Sequence, residues 1–236
     1  MQYRSFKQFT LGLILAGLTV LPATAGATSL GIVNGDFEAS GLTGWTKNPS
    51  DSTNKWGTTT STLSTTPSLH TKYASARVGG DAVNLTDSIF QVIDFSSFGG
   101  QIDSGLVSVD LHGYGFGETN QDYGFMRLSF LDGGNNVLGG GVFDSLLADT
   151  SEVWTELSIG TTVLQSGTRS LMIELVAVKD PSTGKRTDVG FDNISGNYYI
   201  ATPAVQNNPP IPNPEPATLV LFGSGLLGLA AWRRKK

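Results

Sequence analysis

From Gly31 to Tyr199 the chain never sustains a helical period. Its apolar residues fall in short β-branched and aromatic runs, and Gly, Ser, Thr, Asn and Asp fill the gaps. That pattern predicts strands at Gly31–Glu38, Trp45–Lys47, Lys55–Thr58, Tyr73–Val78, Ser88–Asp94, Leu106–Tyr114, Tyr123–Leu131, Val137–Val142, Val153–Ile159, Ser170–Val178 and Asp188–Tyr199. Two runs alternate cleanly. Val107, Val109 and Leu111 share one face, with Ser108, Asp110 and His112 on the other. Met126, Leu128 and Phe130 oppose Phe125, Arg127 and Ser129. Between strands, Asp132-Gly133-Gly134-Asn135-Asn136 reads as a hairpin turn, because Gly and Asn accept positive φ. No soluble helix is expected. Many short strands at this spacing predict an all-β chain, a single antiparallel β-sandwich.

The two ends differ from this middle. Arg4 and Lys7 precede an apolar run from Phe9 to about Leu21, followed by Ala23-Thr24-Ala25. This is the layout of a secretory signal peptide over 1–25, with Ala23 and Ala25 as the small residues of the cleavage site and Ala27 as an alternative cut. At the other end Asn207-Asn208-Pro209-Pro210-Ile211-Pro212 forms an extended linker over 201–213. After it come Pro214-Glu215-Pro216, an apolar segment over 217–232, and the basic cluster Arg233, Arg234, Lys235, Lys236. Sixteen helical residues rise about 24 Å, a little short of the ~30 Å hydrocarbon core. Trp232 suits the interface and the basic cluster the cytoplasmic headgroups. The segment therefore reads as a transmembrane helix acting as a transient stop-transfer anchor.

Triplet, apolar span and basic end, in that order, resemble the PEP-CTERM sorting signal of Gram-negative bacteria. The resemblance implies export through the Sec translocon, a temporary inner-membrane anchor, and cutting by an exosortase at or near Pro214, Glu215 and Pro216. The product would reside on the cell surface or in the extracellular matrix.

Removing both ends changes the charge. The leader takes Arg4 and Lys7 and the tail takes four more of the 15 basic residues, leaving nine against 19 or 20 acidic ones. So acidic a domain is a poor partner for nucleic acid, whose affinity comes mainly from Lys and Arg on phosphates. It is compatible with neutral glycans or bound calcium. The absence of cysteine rules out disulfides, thiol catalysis and thiolate zinc sites.

The domain opens with Ile32-Val33-Asn34-Gly35-Asp36-Phe37-Glu38 and Gly44-Trp45, and closes with Val189-Gly190-Phe191-Asp192-Asn193-Ile194. Trp154-Thr155-Glu156-Leu157 and Gly167 to Leu175 lie between. This order resembles the galactose-binding-like jelly rolls, including several carbohydrate-binding modules, over most of Gly31–Tyr199, within a β-sandwich domain expected at 26–200. In many such folds a structural calcium ties the first strand to the last. Carried over, the resemblance implies Glu38 and Asp192 as its ligands. The alternative is that Glu38 accepts backbone N–H bonds or faces water.

Candidate ligand-binding residues are aromatic rings for sugar faces and polar groups for hydroxyls. Trp56 lies in polar sequence and reads as an exposed indole or a partly buried one. Tyr114, Phe116, Asn120, Asp122 and Tyr123 fall in one segment, Tyr114–Tyr123, which reads as a binding loop or as a glycine-rich connection. Trp45 and Trp154 at strand starts read as core. His112 shares a strand face with Asp110, and that face could align with Arg127 and Ser129; a Ser–His–Asp triad is possible on paper, but no nucleophile elbow accompanies it. The leading expectation is a non-enzymatic exported protein contacting exopolysaccharide. The alternatives are a structural biofilm or envelope protein without a specific sugar and a small glycan-active hydrolase.

Overall fold

A computed structural model of the chain describes residues 26–50, 53–60, 71–76, 85–117, 122–145, 153–180, 187 and 189–203. The signal segment with Ala23 and Ala25, Asn120, Pro214–Pro216, the 217–232 segment and Arg233–Lys236 lie outside the described residues. Among the described residues no helix is long and apolar enough to cross a membrane.

The strands are β1 (Thr28–Ser29), β2 (Thr46–Asn48), β3 (Gly57–Thr60), β4 (Lys72–Ser75), β5 (Thr86–Asp94), β6 (Val107–Gly117), β7 (Tyr123–Leu131), β8 (Val137–Asp144), β9 (Thr155–Val163), β10 (Ser170–Val178) and β11 (Val189–Ile200). They form two antiparallel sheets. Sheet I runs β3-β4-β11-β6-β9, with β1 also on β11; sheet II runs β2-β5-β10-β7-β8. From β4 onward the chain passes between sheets at nearly every connection, only the β7–β8 hairpin staying within one. That alternation makes the domain a jelly-roll sandwich.

Each sheet turns one set of alternate side chains inward. Val107, Val109, Leu111, Leu157, Ile159 and Phe191 from sheet I meet Ile89, Met126, Leu128, Phe130, Leu171, Ile173 and Leu175 from sheet II in one buried cluster. Each large side chain so buried stabilises the fold by about 1.5–3 kcal/mol. The β7–β8 hairpin turn forms as expected. Asn135 takes φ 62°, and Asp132 Oδ1 accepts from the Gly134 and Asn136 amides at 2.8 and 2.9 Å.

Two elements differ from expectation. The segment 31–38 is a turn rather than a strand. Asn34 and Phe37 adopt positive φ, and the Asn34 side chain bridges Ala39 N, Gly41 O and Thr43 O. Gln91 grips Val33 through both its amide groups, and Gly35 O accepts Ile194 N at 2.8 Å. The opening motif thus docks onto the closing strand by its backbone. Secondly, a short helix, α1 (Gly99–Asp103), follows a 3₁₀ turn at Ser96–Phe98 and buries Ile102. Arg169 clamps its end: Asp103 takes Nη1 and Nη2 at 3.1 and 2.7 Å and also accepts Gly167 N. Those donors, the Arg169 guanidinium first, push the Asp103 carboxyl down to about 2.

Candidate functional site

The outward side chains of β6 organise the outer face of sheet I. Strand register sets Asp110 beside Asn197, His112 between Ser195 and Ser158, and Tyr114 between Asp192 and Glu156. Directly opposed residues of antiparallel strands share a face, so these rows form one surface. The Asp110 carboxylate is its hub. It accepts the Tyr199 hydroxyl at 2.6 Å, Asn197 N at 3.0 Å and Asn197 Nδ2 at 3.3 Å. The hydrogen bond to Asp110, then burial and the nearby negative charge, raise the Tyr199 phenol above its usual pKa. His112 Nε2 stands 3.7 Å from Asp110 Oδ1, with the imidazole 44% exposed and the carboxylate 9%. Beyond hydrogen-bond reach of that oxygen, His112 presents an outward polar group. Ser129 lies on β7 of sheet II, and among the described residues no hydrogen bond joins His112 to Ser158 or Ser195, so the paper triad is not assembled.

Sheet I's outer face continues toward β4 as an aromatic cluster. Phe116 meets Trp154 edge-on at 4.7 Å and Tyr73 at 5.3 Å, and Tyr73 meets Trp154 at 5.6 Å. A Cβ at Gly190 would run into the Phe116 ring and lie 2.8 Å from Tyr73 Cδ2. Glycine therefore lets the two rings lie flat on the sheet. Phe116 and Trp154 are 3% and 8% exposed. Phe116 is thus packing material and not a sugar platform, a correction that follows from this burial.

The other candidate residues separate. Trp56 is 2% exposed and stacks on Phe191 at 5.8 Å, so the exposed-indole reading is overturned. Its polar neighbour Asn54 is itself buried, donating to Ser88 O at 3.0 Å and accepting Trp56 N at 3.1 Å. Asp122 is fully buried and accepts Asp180 N at 2.7 Å. It ties the start of β7 to the segment after β10 and offers no open acceptor to a ligand. Tyr123 is half-buried in β7 opposite Val178. Tyr114 is half-buried on sheet I's outer face, within strand β6 rather than in a loop. Trp45 is buried, tilts against Phe37 at 5.5 Å and donates Nε1–H to Asn34 O.

Sheet II's outer face has a different make-up. A single row crosses five strands: Thr46, Phe90, Glu174, Arg127 and Asp144. Arg127 binds Asp144 through two N–H···O bonds of 2.7 and 2.9 Å and lies over the Phe125 ring at 5.1 Å. Buried Glu174 accepts the Ser88 hydroxyl at 2.6 Å. The next row carries Val92, Met172, Ser129 and Val142, with the two valines 48% and 45% exposed.

The seam inferred for calcium holds different chemistry. Glu38 Oε2 accepts the Thr71 hydroxyl and Oε1 accepts Lys72 N, each at 2.7 Å. These bonds, Thr71's first, lower the Glu38 pKa. The Lys72 ammonium donates to Glu38 O at 3.0 Å, which already places a cation at the seam. Asp192 Oδ1 accepts Asn193 N at 2.7 Å. Calcium asks for six to eight oxygen ligands. Among the described residues no group of three or more His, Cys, Asp or Glu could hold a metal. As they stand, these donors do not fit the ion.

Sequence reading missed Asn197 and Tyr199, the partners that fix Asp110. Their alternation on the last strand was visible, but the pairing across 87 and 89 residues was not.

With the geometry in place, comparison with known proteins adds two findings. Residues 214–235 match the PEP-CTERM protein-sorting motif. The chain therefore carries an export and membrane-anchored sorting signal of the Gram-negative type, as its triplet, apolar span and basic end predicted. No curated protein sequence matches the chain. Several solved structures resemble it. A cyclase from Fischerella sp. TAU is 16% identical at a TM-score of 0.52, over 75% of this chain and 100% of that one. The CBM22-1 xylan-binding domain of Paenibacillus barcinonensis Xyn10C is 13% identical at 0.48, over 76% and 100%. TmCBM61, solved with β-1,4-galactotriose, is 13% identical at 0.44, over 71% and 96%. At these identities the likeness concerns the fold alone, the two-sheet sandwich described above.

Proposed function

We propose that the domain binds an exopolysaccharide outside the cell, without catalysis, on the outer face of sheet I. The observation that carries this reading is the row Asp110, His112 and Tyr114 on one face of β6. A carboxylate already ordered by Tyr199 and Asn197 lies beside an outward histidine, and a half-buried ring follows two positions further along the same face. Such a surface offers fixed acceptors and donors to sugar hydroxyls and a ring to a pyranose face. Because Tyr199 and Asn197 hold the carboxylate in advance, little ordering remains to be done on binding. The proposal also covers the handling of the chain: passage through Sec, a transient inner-membrane anchor, exosortase cutting at or near Pro214–Pro216, and residence at the surface or in the matrix.

A glycan array probed with residues 26–213 tests the binding reading. Binding to at least one acidic or neutral polysaccharide is expected. No binding across the array sinks it and leaves the structural alternative, a matrix or envelope component without a specific sugar. Release of shorter products from a bound glycan would instead reveal the hydrolase.

Calcium across Glu38 and Asp192 is a competing proposal for the seam. It requires Thr71 and Lys72 to yield the Glu38 oxygens. A melting scan with and without millimolar EDTA separates the two, an unchanged midpoint being the outcome the hydrogen-bonded seam predicts.

A further inference from the structure

Among the described residues the two sheet paths end in β3 and β9 and in β2 and β8, and these four edges are protected unequally. A free edge presents a row of backbone N–H and C=O groups to any chain that can lie beside it. Natural proteins blunt it with short strands, lysine, proline or bulges. At one side of the sandwich, β2 is three residues long, contains Lys47 and runs into Pro49, and β3 has only four residues. At the other side, β8 is interrupted: its register with β7 shifts between Ser129 and Leu131, and Gly140 takes φ 81°. β9 is the exception. From Thr155 to Ile159 it pairs with β6 without a break, and its own bulge comes only afterwards. That run, Thr-Glu-Leu-Ser-Ile, holds no lysine, no proline and no glycine. Among the described residues no strand pairs with its other side.

The same run is self-complementary. In an antiparallel pairing centred on Leu157, Thr155 would face Ile159 of a second copy and Glu156 would face Ser158. Its only charged residue thus meets a hydroxyl and not another carboxylate, so the register avoids like charges in direct opposition. Leu157 and Ile159 are buried while Glu156 and Ser158 are exposed. Inward therefore meets inward and outward meets outward, as a cross-strand pair requires. Val153 and Val163, 44% and 59% exposed, flank the run and would border the joint.

We propose that β9 is the edge through which two copies of this chain pair about a twofold axis at Leu157. The axis runs perpendicular to the sheet, so both outer faces lie on the same side. The five-strand path β3-β4-β11-β6-β9 doubles into one continuous sheet, with two Asp110 hubs on a shared surface. An isologous joint of this kind closes on itself as a dimer and does not propagate as a filament. The proposal stands whether or not the face binds a glycan.

The chain contains no cysteine, so introduced thiols report cleanly. Two differently tagged full-length chains, one Glu156→Cys and the other Ser158→Cys, are expressed together and exposed to a mild oxidant. Directly opposed Cβ atoms lie about 4.5–5.5 Å apart, close enough for a disulfide after slight adjustment. A mixed-tag disulfide is expected at roughly ten times the yield of a Val142→Cys pair on the bulged β8 edge. Equal yields from the two pairs, or none from either, overturn the proposal. Sedimentation of the full chain in detergent gives the second readout. The native chain is expected at twice the mass of the E156K/S158K variant, whose lysines would meet across the joint, with the variant keeping the native far-ultraviolet circular dichroism and a cooperative melt, and with the native midpoint alone rising with protein concentration. A native chain that sediments as a monomer overturns it as well.

Discussion

The two outer faces of the sandwich use similar residue types to opposite ends. On sheet II the charges cancel locally. Arg127 is held by both oxygens of Asp144, Glu174 is buried against Ser88, and the neighbouring row is valine and methionine. On sheet I the central carboxylate is surrounded by neutral donors from β11, and a histidine stands exposed beside it. An ion pair leaves little hydrogen-bonding capacity for a third molecule. A carboxylate held by a phenol and amide groups keeps its charge, and its neighbours keep outward polar atoms. The difference teaches that polar content alone does not mark a binding face; what matters is whether the polar groups neutralise one another or position one another.

Backbone packing should expose the contrast most strongly. Gly190→Ala drives a methyl into Phe116 and toward Tyr73 on sheet I. Overpacking against rings that are themselves wedged by Trp154 should cost about 3 kcal/mol, read as a lowered urea midpoint with an unchanged slope. Gly139→Ala on sheet II's edge strand meets nothing within 4 Å. It should shift stability by less than about 0.5 kcal/mol. Equal losses at the two positions would mean that the aromatic cluster is free to move aside and that the faces do not differ in rigidity.

Binding should separate the faces next. Tyr114→Ala on sheet I should weaken affinity for whichever polysaccharide the array identifies by about tenfold, the equivalent of ~1.4 kcal/mol. Arg127→Ala on sheet II should leave that affinity unchanged. It breaks a partly exposed ion pair, so its stability loss should stay near 0.2–1 kcal/mol. Titration calorimetry on both variants decides. A loss of affinity confined to Arg127→Ala would move the site to sheet II.

Local pattern made some of this legible and long-range packing hid the rest. β7 and β10 have the limits their sequence predicts, because a glycine-rich turn or an Arg169 clamp bounds them. The opening segment did not become a strand. Its shape depends on Gly35 fitting beneath Ile194, and a Cβ there would collide with the Ile194 carbonyl. Trp56 looked exposed because its neighbours are polar, yet Asn54 is consumed by Ser88 and Trp56 itself. Tyr114 was read as the last residue of a strand and the first of a loop, yet β6 runs on to Gly117, since the glycines at 113, 115 and 117 weaken a strand pattern that pairing across β9 and β11 restores. The Asp110 hub needed the last strand laid beside β6, which no local window reveals.

The smallest effect expected is also the most specific to sheet I. Tyr199 donates to Asp110, so ionising its phenol would lose that hydrogen bond and set two negative charges against each other. Its folded pKa is therefore raised above the ordinary tyrosine value. A group whose pKa is higher in the folded state contributes stability that is fully present below the unfolded value, near ~10 for tyrosine. That contribution is lost as pH rises through the folded value. The phenolate absorbance of Tyr199, isolated by comparison with Tyr199→Phe, should accordingly develop later than that of a free tyrosine. Asp110→Asn removes the charge and keeps an acceptor, so it should return the titration toward the ordinary value. Arg127→Ala should leave it where it was. A Tyr199 that ionises normally in the native chain would dissolve the hub, and with it the reason for preferring sheet I over sheet II.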